Sequence, residues 1–271
     1  MFVWPQIIGF DVVLKSIKHN KVILYIMDNS FFCIRSYNIH PTRNNECLDC
    51  LGFIKPHKLC FPFHRNYKKF KNIEYLNLLK DHSHKIIFYS QNNLQKLLLK
   101  KHFGNNINVK VVGMNIGKLK KTETTISSKA FSYDIVFHAY SHKAKGLLYT
   151  IKLAKLLPNQ SFLIPDTKEN VLKATEIKNN LPANITFKKM NWDSGLKEMV
   201  ISAGLVINPS IWSAPIEAAL LKSAAFNQNV ATVASSYGYE KEIKSIKNHI
   251  RLSTDISIAA EQIKKFFKNY N

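Results

Sequence analysis

Apolar and polar positions along this chain fall into blocks that switch between strand-like and helix-like spacing. From Gly204 to Glu240 it reads GLVINPSIWSAPIEAALLKSAAFNQNVATVASSYGYE. A short apolar run (Leu205, Val206, Ile207) stops at Asn208-Pro209-Ser210, a helical run extends from about Ala214 to Phe226, and a β-rich run covers Val230 to Val233. Strand, turn, helix and strand make a βαβ unit. In an open parallel sheet such a unit sets its loop at the carboxyl edge of the strands, where a helix N-terminus faces the crevice that takes anionic ligands.

The same alternation runs through the rest of the chain. Upstream of the βαβ unit the pattern predicts a strand over Asp134 to His138, a helix over Lys145 to Leu156, a strand over Ser161 to Ile164 and a helix over Lys168 to Asn179. A strand over Ile185 to Lys188 and a helix over Ser194 to Ala203 follow; beyond the unit come a strand over Ile250 to Leu252 and an amphipathic helix over Asp255 to Asn269. Nearer the N-terminus it predicts a helix over Ile7 to Ile17, a buried strand over Val22 to Met27 and helical periodicity around Tyr75 to Leu79. A strand over Lys85 to Ser90, a helix over Asn92 to His102 and a strand over Val109 to Gly113 complete that half. Asp28 to about Asn72 is too long for an ordinary connection, and Asn115 to Ser132 reads as a polar linker.

The expected architecture is therefore α/β, with two Rossmann-like domains whose parallel sheets are covered on both faces. The first spans 1–114 and carries a Cys-rich loop over 28–72; the linker is 115–132 and the second domain is 133–271. The first domain is abbreviated, because it opens on a helix where a doubly wound domain opens on a strand and a phosphate-friendly turn.

Composition narrows this picture. The 271 residues are 46% hydrophobic and 11% aromatic, enough apolar material for real cores. No apolar run reaches the roughly 18 residues that span a bilayer, and MFVWPQIIGFDVV lacks the marks of a cleaved leader. The expectation is a cytoplasmic protein, peripheral to the inner face of the membrane if it meets one. A net charge of +21 fits an anionic partner (nucleic acid, an anionic membrane surface or a phosphorylated substrate) or simply a solvated basic surface. The lysines are spread widely, from Lys68, Lys69 and Lys71 to Lys264 and Lys265, without any nucleic-acid-binding signature, which disfavours nucleic acid.

Several stretches resemble a known family. IVFHAYSHKAKGLLYTIKLAKLLPNQSFLI resembles the opening of the nucleotide-binding half of family-4 glycosyltransferases of the GT-B fold, ITFKKMNWDSGLKEMVISAGLVINPSIWSAP resembles the family's stretch near the nucleoside, and SYGYEKEI resembles its closing turn. In the first half, YIMDNSFFCIRSYN and ECLDCLG resemble the acceptor-side strand and an aromatic-Cys segment. The resemblance implies transfer of a sugar from a nucleotide sugar to a glycan or lipid-linked acceptor, as in surface polysaccharide biosynthesis, with the donor diphosphate held between the domains. It also implies that no catalytic metal is needed, since cations and helix N-termini neutralise the leaving diphosphate.

By this resemblance Lys145 takes the diphosphate-binding role, Gly146 lets the backbone approach, and Ser210 belongs to the Pro-Ser turn of the donor site. Asp28 matches the Asp of the family's His-Asp pair, whose His is Met27 here; the family's diphosphate-binding Arg is Tyr140. The Glu-x7-Glu pair falls on Ala214 and Lys222. Glu217, in the first turn of the helix after Pro215, offers a replacement carboxylate for a donor hydroxyl, and Lys222 adds positive charge near a phosphate. Glu217 also reads as plain helix-dipole compensation, and Lys222 as a surface lysine. Asp28 and Glu217 are thus the catalytic candidates; Tyr140, Lys145, Gly146, Ser210 and Lys222 are the donor-binding ones.

Cys33, Cys47, Cys50 and Cys60 all lie in the long loop, and Cys47 and Cys50 form a Cys-x-x-Cys whose spacing suits one tetrahedral ion. A structural zinc would fix an otherwise unsupported segment, with His57 and His64 as alternative ligands; the other reading is four reduced, packed thiols. Two rivals to sugar transfer follow from the same residues. One is a non-catalytic relative that binds a sugar nucleotide or acts as a scaffold, and the other is a basic nucleic-acid-binding protein.

Overall fold

A computed structural model describes residues 1–63, 68–115, 117, 131–177 and 180–269. His64 and nearly all of the expected linker, including Lys118, Lys120, Lys121 and Thr122 to Ser128, lie outside the described residues. The chain forms two compact units: Met1–Asn115 with Trp212–Ile216 and Ser235–Glu242, and Ile116–Ile211 with Glu217–Ala234 and Ile243–Asn271.

The first unit opens with α1 (Pro5–Ile8) and α2 (Phe10–His19), where one helix was expected. Gly9 breaks it with φ 103, a conformation open to glycine. Strand β1 (Val22–Tyr25) follows, then a long irregular segment, α3 (Lys69–Asp81), β2 (Ile86–Ser90), α4 (Asn93–Phe103) and β3 (Asn108–Val111). The sheet is parallel in the order β1-β2-β3. Phe2 adds a bridge beside Leu24. The core gathers Val13 and Ile17 of α2, Leu76 and Leu79 of α3, Phe88 of β2 and Leu98 and Leu99 of α4, with Phe31 and Phe32 from the long segment. Those loop aromatics answer the question of what orders so much irregular chain: they pack against α4, where Phe31 lies near both His102 and Phe103.

A buried polar network ties the distant segments into this unit. Asn29 and Asn38 are both fully buried and Ser213 nearly so. Asn29 Nδ2 donates to Asn38 Oδ1 at 2.7 Å and to the Ser213 carbonyl at 2.9 Å, while Asn38 Nδ2 donates to Ser213 Oγ at 2.8 Å and the Cys47 carbonyl at 3.0 Å. The Glu46 carboxylate accepts from Ser213 Oγ at 2.5 Å and from the backbone N–H groups of Ser236 and Tyr237 at 2.6 and 3.2 Å. These bonds explain why 212–216 and 235–242 count with the first unit, although the sequence assigns all of 133–271 to the second.

The second unit is built from β4 (Ile135–Phe137), α5 (Leu147–Leu156), β5 (Phe162–Ile164), α6 (Lys168–Thr175), β6 (Ile185–Phe187) and α7 (Lys197–Ser202). It continues with β7 (Leu205–Asn208), α8 (Ala218–Phe226), β8 (Asn229–Val233), β9 (Asn248–Leu252) and α9 (Ile256–Lys268). All pairings in its six-stranded sheet are parallel, in the order β6-β5-β4-β7-β8-β9. Strands β4, β5, β7 and β8 are buried at every position, as central strands with helices on both faces must be.

Two expected boundaries move for a physical reason. The helix expected from Ala214 starts at Ala218: Pro215 disfavours helical backbone at Ala214, and Glu217 is the residue before the helix and not part of its first turn. The helix expected from Lys145 starts at Leu147. Lys145 ends a short 3-10 turn, and Gly146 reverses the backbone with φ 75.

Candidate functional site

The strand order of the second unit fixes where a site belongs. After β4 the chain moves one way to β5 and β6; it then returns to the other side of β4 to form β7 and β8. The carboxyl ends of the adjacent strands β4 and β7 therefore flank a topological switch point, where open parallel sheets bind ligands. The turn after β4 supplies Lys143, Lys145 and Gly146; the turn after β7 supplies Pro209 and Ser210.

The two turns are locked together. The Ile211 N–H donates to the Ala144 carbonyl at 3.0 Å, and a Cβ on Gly146 would lie 1.9 Å from the Pro209 carbonyl oxygen. Only glycine meets both the left-handed backbone and that close approach. His142 Nδ1 accepts from the Ala144 N–H at 3.1 Å and so caps the 3-10 turn. Lys145 Nζ pairs with the Glu217 carboxylate, and Ser210 Oγ donates to the same oxygen at 3.0 Å. The side chains of Lys145 and Glu217 are 18% and 14% exposed. That leaves an ammonium and a carboxylate mostly out of water but reachable.

Helix ends add to this field. Among the helices of the unit, α6 is capped by Thr167 and α9 by Asp255. Neither α5 nor α8, which follow the two switch-point strands, has a side-chain cap. Their first-turn N–H groups carry partial positive charge on the same side of the sheet as Lys145.

Lys222 Nζ sits 4.6 Å from the centre of the Trp192 ring, and Trp192 stacks on His138 at 5.3 Å. His138 Nδ1 lies 2.8 Å from Ser223 Oγ, and burial, followed by the nearby Lys222 charge, lowers the imidazole to about 4. Lys222 thus belongs to a cation-and-aromatic cluster. Tyr140 is 77% exposed. Asp28 belongs to the first unit, where its carboxylate accepts the Ser30 N–H at 2.9 Å.

The four cysteines are free thiols. Burial pushes the Cys33 and Cys50 thiols up, with the neighbouring Cys60 a smaller cause for each, and burial lifts Cys47 to about 11. Among the described residues no group of three or more His, Cys, Asp or Glu side chains could hold a metal ion. Cys60 is buried in the core, and Cys33 and Cys50 pack against it, as small hydrophobes do.

Sequence reasoning missed the pairing of Lys143 with Glu176 at 2.9 Å and the whole network around Glu46. Glu46 touches residues 167 and 190 positions away, and no local pattern announces such partners.

Comparison with known structures settles the fold. Staphylococcus aureus TarM, solved as a G117R mutant with Fondaparinux, alpha-GlcNAc-glycerol and UDP, matches 91% of this chain and 44% of its own, with TM-score 0.53 and 16% identity. The pneumococcal O-GlcNAc transferase GtfA, solved with UDP and GlcNAc, matches 96% of this chain and 53% of its own, with TM-score 0.52 and 12% identity. The GtfA/B complex gives TM-score 0.54 at 15% identity over 96% of this chain and 48% of its own. The fold is that of GT-B glycosyltransferases. This chain spans about half the length of these GT-B structures. No family model matches the sequence, and no curated protein matches it.

Proposed function

We propose that this protein is a glycosyltransferase that moves a sugar from a nucleotide sugar to a glycan or lipid-linked acceptor, in the manner of family 4 and in the service of surface polysaccharide assembly. One observation carries the reading: Lys145, Gly146, Ser210 and Glu217 meet at the switch point of the second sheet, beside two uncapped helix N-termini. Departure of a nucleoside diphosphate from a sugar develops negative charge on phosphate oxygens. An ammonium and helix N–H groups already oriented toward that charge stabilise the transition state without reorganising.

In this reading Lys145 binds the diphosphate, Gly146 admits it close to the backbone, and Ser210 and Glu217 take hydroxyls of the donor. Before a donor arrives, Glu217 neutralises Lys145 and holds it in position; a diphosphate then competes for the ammonium and releases the carboxylate toward the sugar. Tyr140 and Lys222 are secondary donor contacts, and Asp28 is the acceptor-side candidate of the first unit. UDP is the first nucleotide to test, because it is the one named with both TarM and GtfA.

Isothermal titration with a panel of nucleoside diphosphates and their sugars tests the proposal. Saturable binding that Lys145→Ala weakens at least tenfold supports it; no binding at millimolar concentration ends it. A non-catalytic relative is the second reading, favoured by Ala214 and Lys222 standing at the Glu-x7-Glu positions. Incubation with donor and acceptor, read by product mass, separates binding without turnover from transfer.

A further inference from the structure

A second polar cluster lies on the carboxyl edge of the six-stranded sheet, one strand from the switch point. Strand β5 runs beside β4 on the side opposite β7. Asp166 stands just past the end of β5, about twenty residues beyond Gly146 in the turn after β4. Its Oδ1 accepts the Thr167 N–H at 2.7 Å and Asn170 Nδ2 at 2.8 Å. The hydroxyl of Ser141, in the same connection as Lys145, donates to this carboxylate too, and Lys189, beyond the end of β6, lends it positive charge. Asp166 therefore joins the connection that holds Lys145 to the edge of the sheet beyond β5 and β6.

The carboxylate stays charged and reachable. Partial burial works to raise Asp166, but the bonds from Ser141, Asn170 and the Thr167 N–H, with the Lys189 charge, hold it below its ordinary value. The residue is only partly buried. Nor is it the cap of α6: Thr167 fills that place, its Oγ1 accepting the Asn170 N–H at 3.2 Å.

We propose that Asp166 is a nucleoside-binding residue, its carboxylate accepting a hydrogen bond from a ribose hydroxyl of the nucleotide held at the switch point. Two observations select that partner. The order β6-β5-β4-β7-β8-β9 repeats the order of dinucleotide-binding sheets, with β4 as the first strand and β5 as the second. In such sheets the phosphates stay at the glycine turn after the first strand. An acidic residue at the end of the second, about twenty residues on, takes the ribose hydroxyl. Here Gly146 marks the turn and Asp166 the acidic position. The chemistry agrees: an ionised carboxylate only accepts, so it suits a hydroxyl and repels phosphate oxygens, and Ser141 shows that a hydroxyl fits against it. Lys145 and Asp166 thus divide the work, the ammonium taking the diphosphate and the carboxylate the sugar of the nucleoside.

This inference rests on the nucleotide-sugar reading above, and its test separates the two. Isothermal titration of the full chain compares UDP, GDP and ADP, each with its 2′-deoxy counterpart, and inorganic pyrophosphate. The nucleotide that binds best should bind about tenfold tighter than its 2′-deoxy form. Asp166→Asn should weaken the ribonucleotide about tenfold and bring the pair within about twofold of each other, while pyrophosphate binds no more weakly than before. Asp166→Ser, whose hydroxyl can still accept the Thr167 N–H, repeats the comparison should the amide disturb the start of α6. A purely structural role would weaken the ribose and deoxyribose forms alike. That result overturns the inference, as does a ribonucleotide affinity that both variants leave unchanged or an unaltered protein that binds the two forms equally; the donor reading survives all three. No binding by any of the three nucleotides removes the donor reading and this inference with it.

Discussion

Gly146 shows how a single residue can carry both local geometry and site geometry. Its φ of 75 and the 1.9 Å approach of the Pro209 carbonyl to a would-be Cβ forbid any side chain. Gly146→Ala should therefore cost about 2 kcal/mol or more, from the left-handed backbone and the displaced Pro209 turn together, measured as a lowered urea midpoint at unchanged slope. Glu217→Gln probes the neighbouring ion pair. Removing the carboxylate leaves a mostly buried ammonium uncompensated, so stability should fall by about 1–3 kcal/mol while affinity for a nucleoside diphosphate rises. A thermal melt paired with titration reads both. If affinity drops instead, Glu217 contributes to donor binding more than it blocks it.

Histidines set the acid limit at the same scale. His138 and His102 are buried, and burial lowers each to about 4, with Lys222 and Lys80 as the smaller causes. Nε2 of His102 has no partner among the described residues. The unfolded chain binds these protons near pH 6.5 and the folded chain only near 4, so stability is full above about 6.5 and falls as pH drops toward 4. The melting temperature should decline over that window, and His138→Gln should flatten the decline.

At the scale of elements, the same physics explains which boundaries the pattern located. The central strands of the second unit are apolar at nearly every position, so continuous hydrophobic runs were enough to find them. Helix α3 shows helical periodicity over only part of its length, because it buries the polar Asn72 beside Tyr75, Leu76 and Leu79 and so lacks a clean apolar stripe. The run from Ala214 is helical in composition, yet α8 begins only at Ala218. Pro215 and the bond from the Tyr239 N–H to the Ala214 carbonyl, 2.8 Å long, hold that stretch in another conformation. Segment 212–216 also holds the first unit together. Asn38→Ala should cost about 3 kcal/mol, since it strips partners from Asn29 and Ser213 at once.

For the whole molecule, the discontinuity of the first unit has a direct consequence. A fragment ending at residue 115 lacks Ser213, Ser236 and Tyr237 and leaves Asn29, Asn38 and Glu46 without them. It should show a broad, low-temperature transition by calorimetry where the full chain melts cooperatively; a sharp, full-height transition would count against the network. Net charge acts at this scale too. With +21 on 271 residues, screening self-repulsion should raise the melting temperature by several degrees between low and moderate salt.

By itself the sequence determined the α/β alternation, the two sheets, and the turns that carry Lys145, Gly146 and Ser210, because strand and helix periods and Pro or Gly stops are local properties of the chain. It also contained the residues that resemble a glycosyltransferase donor site. Only the tertiary structure decided that Glu217 turns to Lys145 and Ser210, that Lys222 lies over Trp192, that Glu46 grips Ser236 and Tyr237, and that Cys33 and Cys50 pack against the core that holds Cys60. Each depends on side chains far apart in sequence meeting once the strands have taken their order, and no period of two or 3.6 residues encodes such a meeting.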